Sequence, residues 1–245
     1  MKKILVIISL VSFLSPISVL ALSFDGVNDR VALGAAPATL NITGSQITNS
    51  AWVYLNTAVG GDSIIRKNIV HYGLSFQVTP NRFRFEISTN TTCDSIANAA
   101  SVTAPVAKRW YFVAATYDGA NIKMYVNGVL EATTAKTGNL ANSLCGLTGQ
   151  TTDFNIGNYF RNSADAEMFD GRIDDARVYN RALSAGEIRM LYYGSPSRSG
   201  LVGYWPLIGN TSGTFEPDFS GLKNHGTRTG GPVRGALSPT SRWRR

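Results

Sequence analysis

The sequence predicts an all-β sandwich, and three observations carry the prediction. Residues 109–134, RWYFVAATYDGANIKMYVNGVLEATT, read as three strands joined by two tight turns. Short apolar or alternating runs separated by turn residues then recur at roughly 8–12-residue spacing, as in sandwiches and barrels and unlike βαβ folds. Only one stretch, 184–192, has helical character. A meander with one apolar face needs a second sheet to cover it, so two packed sheets are expected.

Residues 1–21 stand outside that fold as an export signal. Lys2 and Lys3 precede an apolar run from Ile4 to Leu14, and Val19-Leu20-Ala21 has the small-residue spacing of a cleavage site. The run is too short to span a bilayer comfortably. The first domain is expected over 22–194. In LSFDGVNDRVAL the apolar residues alternate around an Asp25-Gly26 turn. Strands follow at Ser50 to Asn56, Ile64-Ile65, Leu74 to Val78 and Phe83 to Ile87. In the last of these Arg82, Arg84 and Glu86 alternate with inward Phe83, Phe85 and Ile87. Trp110 to Tyr117 is apolar on both faces, as a central strand buried on two sides should be, and Trp52 and Trp110 fall in core patterns. Asp118-Gly119 breaks that strand. Ile122 to Val126 alternates, Asn127-Gly128 predicts a type I′ turn, and Val129 to Thr134 returns. Phe154 to Gly157 and Arg172 to Tyr179 complete the series. Ser184 and Glu187 have capping-box spacing ahead of Ile188 and Leu191, which predicts one short helix.

The formal charge of +7 is unevenly spread. Beyond residue 194 stand Arg198, Lys223, Arg228, Arg234, Arg242, Arg244 and Arg245 against Glu216 and Asp218, while 22–194 is neutral. The basic balance therefore belongs to a C-terminal tail, 195–245, and to the leader. No basic helix or aromatic-basic motif accompanies it, so nucleic acid is not an expected partner. The two cysteines, Cys93 and Cys145, lie in polar loops flanking the meander. In an exported chain they are expected to form a disulfide, worth roughly 4 kcal/mol for a loop of about 50 residues. Two cysteines and two distant histidines, His71 and His225, do not make a zinc site.

Four segments, LSFDGVNDRVALG (22–34), SAWVYLN (50–56), RWYFVAATYDGANIKMYVNGVL (109–130) and FDGRIDDARVYNRALSAGEIRMLY (169–192), resemble, in order and spacing, the laminin-G-like, concanavalin A-like jelly-roll superfamily. The resemblance implies two antiparallel sheets face to face and, commonly, carbohydrate or protein binding with a structural calcium ion. By that resemblance Asp25, Asp29 and Asp174 are the candidate calcium ligands; Asp25 and Asp29 also suit plain Asx-type turn bonds. The tail segment LVGYWPLIGNTSGTFEPDFSGLKNHGT (201–227) resembles one that precedes the LSFDG strand in many relatives. Ala236-Leu237-Ser238 repeats Ala21-Leu22-Ser23. The tail thus either returns to complete its own sandwich or starts a second, truncated repeat.

Catalysis finds little support. Glycosidases of this superfamily carry two Glu with an Asp between them on one strand, and no such motif exists here. Asp174 and Asp175 are adjacent and would point to opposite faces of a strand. No G-x-S-x-G is present. Loops carry function on such scaffolds. Asn158-Tyr159-Phe160-Arg161-Asn162 has the aromatic and amide composition of a sugar site, which makes Tyr159, Arg161 and Asn162 candidate ligand contacts, with Tyr72 beside His71 as a second candidate. Asn41, Asn90 and Asn210 begin N-x-S/T sequons. The expectation is a secreted, periplasmic or cell-surface binding module for glycans, calcium-stabilised and not an enzyme. The alternative is a structural or adhesive protein that uses the sandwich for protein contacts.

Overall fold

The computed structural model describes residues 20–58, 61–67, 71–90, 95–141, 153–161, 164–208 and 213–237. In chain order the strands are β1 (Leu20–Asp25), β2 (Arg30–Ala35), β3 (Ile47–Leu55), β4 (Asp62–Lys67), β5 (Tyr72–Val78), β6 (Asn81–Ser88), β7 (Ile96–Ala100), β8 (Trp110–Tyr117), β9 (Asn121–Val126), β10 (Val129–Ala135), β11 (Asp153–Ile156), β12 (Tyr159–Arg161), β13 (Ala164–Ala166) and β14 (Asp170–Tyr179). Helix α1 (Ala185–Tyr192) follows. The tail adds β15 (Leu201–Trp205), β16 (Phe215–Glu216), β17 (Gly226–Thr229) and β18 (Val233–Leu237). One antiparallel sheet has the order β10-β9-β8-β3-β14-β1-β18, with β15 also on β14. The other runs β16-β17-β2-β11-β4-β5-β6-β7, and β12–β13 is a separate hairpin. This is the expected two-sheet sandwich.

The core lies between the sheets. Leu22, Phe24, Val53, Val113, Met124 and Ile173 of the first sheet share one apolar cluster with residues such as Leu74, Phe85 and Phe154 of the second. The Asn127-Gly128 turn has positive φ at both residues, 51° and 78°, as a type I′ hairpin requires. Helix α1 has the capping box of Ser184 and Glu187, and Glu187 also holds Arg181 at 2.6 Å. Its Ile188 and Leu191 cover Trp52, Phe112, Tyr125 and Tyr179 on the outer face of the first sheet, a satellite core that leaves Trp110 half-buried.

The tail is structural. Strand β15 pairs with Ala176 to Tyr179 of β14, end to end with β1, which pairs with Asp170 to Ile173 on the same edge. Trp205 is fully buried against Phe154, ring centroids 5.2 Å apart, and donates its Nε1–H to the Asn224 carbonyl at 2.9 Å. Strand β18 pairs with β1, and β17 with β2, so the tail contributes strands to both sheets of its own sandwich. Strand β1 starts at Leu20, inside the proposed leader; residues 1–19 lie outside the described residues, as do Cys93 and Cys145.

Candidate functional site

One open cleft of about 340 Å³ lies at the rim of the sandwich, lined among others by Asp25, Thr57, Asp62, Glu167, Met168 and Asp170. Local sequence explains how these groups meet. Asp25 ends β1 and Asp170 begins β14, and the two strands pair Asp25 directly opposite Asp170. Gly26 turns the chain at φ 75°, where a Cβ would come within 2.9 Å of the Asp170 side chain, so only glycine fits. Asp170 accepts from Asn56 Nδ2 at 2.9 Å and Thr57 Oγ1 at 3.0 Å. Glu167, with φ at 51°, bends the chain out of hairpin β12–β13, and its carbonyl accepts from Ser63 N–H at 3.0 Å.

Asp62 is the unusual member. It is 3% exposed, and its Oδ2 has no hydrogen-bond partner among the described residues. Burial, opposed by an N–H from Asp170 and reinforced by the charges of Asp170 and Glu167, pushes its carboxyl up to about 7. An acid wall with an unsatisfied buried oxygen suits a hard cation or a hydroxyl-rich ligand.

The cleft adjoins the outer face of the second sheet. Arg66 lies flat over Gly73, its guanidinium 4.5 Å from the Tyr159 ring centroid, 3.5 Å from Glu86 and 3.6 Å from Glu167. Arg84 contacts the same Glu86 and donates to Gln77 Oε1 at 2.9 Å. Asn155, Arg66, Gly73, Glu86 and Asn98 follow one another across neighbouring strands, a polar row on the side away from the core.

The sequence-predicted residues fare unequally. Tyr72 is not a ligand contact: it is fully buried, and its hydroxyl donates to the Leu40 carbonyl at 2.8 Å. His71 is buried beside it, bonded to Lys67 Nζ at 3.1 Å and the Ile42 carbonyl at 2.8 Å. Tyr159 opens β12, 5% exposed, with its face given to Arg66. Arg161 ends β12, but its side chain and all of Asn162 lie outside the described residues.

The trio Asp25, Asp29 and Asp174 is not brought together. Asp25 Oδ1 accepts from Val27 N–H at 2.8 Å and Asn28 N–H at 3.3 Å, an Asx turn. Asp29 Oδ2 caps the Asp25 N–H at 2.9 Å, and burial raises its pKa. Asp174 is fully buried opposite Trp52, four residues beyond Asp170 on β14, about 13 Å at 3.3 Å per residue. Asp170 takes the place expected for it. Reasoning from sequence also missed Asp62 and Glu167, isolated acids in loop-like context; the Asp170 pairing was readable, because extending the Arg172 to Tyr179 strand two residues backward puts Asp170 opposite Asp25.

Comparisons with known proteins bear on the fold and the family. No curated protein sequence matches the chain. Among solved structures, a candidate carbohydrate-binding protein from Bacteroides ovatus is 19% identical with a TM-score of 0.69, covering 91% of this chain and 61% of its own. The chain therefore spans about three-fifths of that protein. A heptameric SAP-like pentraxin from Limulus polyphemus is 12% identical, TM-score 0.57, covering 90% and 96% of the two chains. The CBM40 of a Ruminococcus gnavus IT-sialidase, bound to α2,3-sialyllactose, is 17% identical, TM-score 0.54, covering 71% and 96%. At such identities the likeness is one of fold. A family profile described as the concanavalin A-like lectin/glucanases superfamily matches residues 25–189. With two-thirds of its length inside that match, the chain belongs to the concanavalin A-like lectin/glucanase superfamily.

Proposed function

We propose that the chain is a secreted, non-catalytic carbohydrate-binding module whose glycan lies across the rim cleft and the adjoining polar face of the second sheet. The observation that carries this reading is the orphaned, buried Asp62 Oδ2 in an open cleft shared with Asp25, Glu167 and Asp170. Carboxylates and amides of this kind bind sugar hydroxyls, with aromatic faces nearby. The descriptions of two structural neighbours, a candidate carbohydrate-binding protein and a CBM40 with sialyllactose, support the class of ligand.

The donor set also fits calcium in part. Asp62, Glu167 and Asp170 offer hard oxygens, and the orphaned Asp62 oxygen lacks any protein donor among the described residues. No three Asp, Glu, His or Cys of the described residues form a ready-made metal cluster. An ion here would take its remaining ligands from Thr57, backbone carbonyls and water, which calcium accepts. It would neutralise the acid wall and offer a coordination position to sugar hydroxyls. A carboxyl held near 7 is also what a general acid needs. The sequence has no paired-Glu glycosidase motif to act with it, and the non-catalytic reading rests on that.

Glycan-array binding with calcium and with EDTA tests the reading, with Asp170→Asn expected to weaken binding at least tenfold. Calcium at a hundredfold excess over its dissociation constant should add about 2.7 kcal/mol of stability. Binding to no glycan under either condition sinks the module, and release of reducing sugar sinks the non-catalytic reading. Protein contacts are a second reading, favoured by Met190 and Tyr193, which are 50% and 52% exposed on and beside α1. Secretion predicts a mature N-terminus at Leu22, which trims two residues from β1.

A further inference from the structure

Strand β14 carries two arginines stacked on tyrosines, and only one of them is closed. Arg177 lies 4.2 Å from the Tyr204 ring centroid, is buried, and bonds Asp175 Oδ2 at 2.5 Å. Arg172 lies 4.4 Å from the Tyr54 centroid at the other end of the strand. Among the described residues its guanidinium has no hydrogen bond or ion pair, and its Nε is shut from water without an acceptor. A half-buried cation without a counter-charge is an uncommon state for an arginine.

The register shows what surrounds it. Trp110, Tyr54, Arg172 and Ser23 stand side by side on β8, β3, β14 and β1. Their neighbours Val53, Ile173 and Leu22 point into the core, so this row faces outward. Trp110 and Tyr54 are half-buried, with centroids 5.6 Å apart at 55°. Gly235 of β18 makes room for the arginine: a Cβ there would come within 2.9 Å of Arg172 Cδ. Two acids flank it on the same face, each two residues along β14: Asp170, engaged by Asn56 and Thr57, and Asp174, fully buried opposite Trp52. Lys108 and Arg109 add positive charge at the start of β8. The row is therefore an exposed-edge aromatic surface with a fixed guanidinium that has no ion pair among the described residues.

We propose that the Trp110–Tyr54–Arg172 row is a subsite for an acidic sugar, whose carboxylate pairs with the Arg172 guanidinium while a face of the ring packs on Trp110. It rests on the glycan-binding reading and adds the class of glycan, a uronic acid polymer. The guanidinium is already held flat by Tyr54, so its planar fork is preorganised for bidentate carboxylate pairing. Partial burial strengthens such a pair relative to water. Aromatic faces supply the apolar contact that sugar rings need. The Arg177 stack shows the same device completed by an internal carboxylate.

The test measures binding of the full chain to polygalacturonate, to its fully methyl-esterified form, to neutral arabinan and to dextran sulfate, at physiological salt. The variants are Arg172→Gln, Arg172→Lys and Arg189→Gln, the last removing an equal charge from the exposed side of α1. Polygalacturonate binding should fall at least tenfold in Arg172→Gln and on esterification, partly in Arg172→Lys, and not in Arg189→Gln. Equal binding of acid and ester, equal loss in Arg189→Gln, or preference for dextran sulfate would overturn the proposal. Binding of arabinan without polygalacturonate would overturn it while leaving the glycan-binding module intact; binding of no polymer would remove both. If Arg172→Gln does not fold, Arg172→Lys and the ester comparison still decide.

Discussion

Two buried acids, Asp62 at the rim cleft and Glu216 under the tail, reach the same acidity by different routes. Each carboxyl is pushed up to about 7, and in each burial is the largest cause. Glu216 is opposed by a cation: Arg228 Nε lies 3.8 Å from it, and the Leu207 N–H adds a hydrogen bond. Asp62 is crowded by Asp170 and Glu167 instead. A raised carboxyl beside its own arginine belongs to the framework. A raised carboxyl among other acids, with one oxygen unsatisfied, belongs to a place where something binds.

Removing one member of each setting should separate the two acids. Arg228→Ala takes the cation from buried Glu216, which then keeps its proton, and should cost about 1–3 kcal/mol, read from the denaturant midpoint at pH 7.5. Asp62→Asn should act in the opposite direction in metal-free protein. Its shift from 3.8 to about 7, at about 1.4 kcal/mol per unit, bounds the gain above pH 8 at about 4 kcal/mol, with about 2 kcal/mol expected after the lost charge–N–H bond. Equal destabilisation by both variants would show that Asp62 is framework too.

The pH dependence is the finer test. Both folded pKa values are raised, so each group keeps its proton in the folded chain at a pH where the unfolded chain has released it. Their contribution is full below about pH 4 and is lost as the pH rises through about 7. Metal-free urea melts from pH 4 to 8 should therefore show a fall that Asp62→Asn lessens by about one proton's worth. A flat profile in wild type would contradict both assignments.

What the sequence allowed one to read depended on how local the cause was. The β8–β9–β10 meander and α1 were legible because their turns and cap are set by adjacent residues, Asp118-Gly119, Asn127-Gly128 and the Ser184–Glu187 box. Tyr72 was misplaced because the strand was started at Leu74; Tyr72, Leu74 and Phe76 share one parity and all point inward. Asp62 and Glu167 had no local mark, since their meaning comes from strand pairings more than 100 residues apart in sequence. The short, polar strands β16 and β17 are held by β2 rather than by their own pattern.

The pairing of β1 with β18 sets how the molecule bears load. Leu22 faces Arg234 and Ser23 faces Val233, so the first and last described strands lie antiparallel, the start of one beside the end of the other at one corner. Tension applied at those two ends pulls across the ladder rather than along it. The hydrogen bonds then break pair by pair, as a zipper opens, instead of yielding together in shear. Held by both ends, this sandwich should peel at low force from that corner, with Arg234 and Gly235 leaving β1 before the core is disturbed. A single-molecule pull on residues 22 and 237, compared with one between residues 22 and 135, would show the first opening at the lower force.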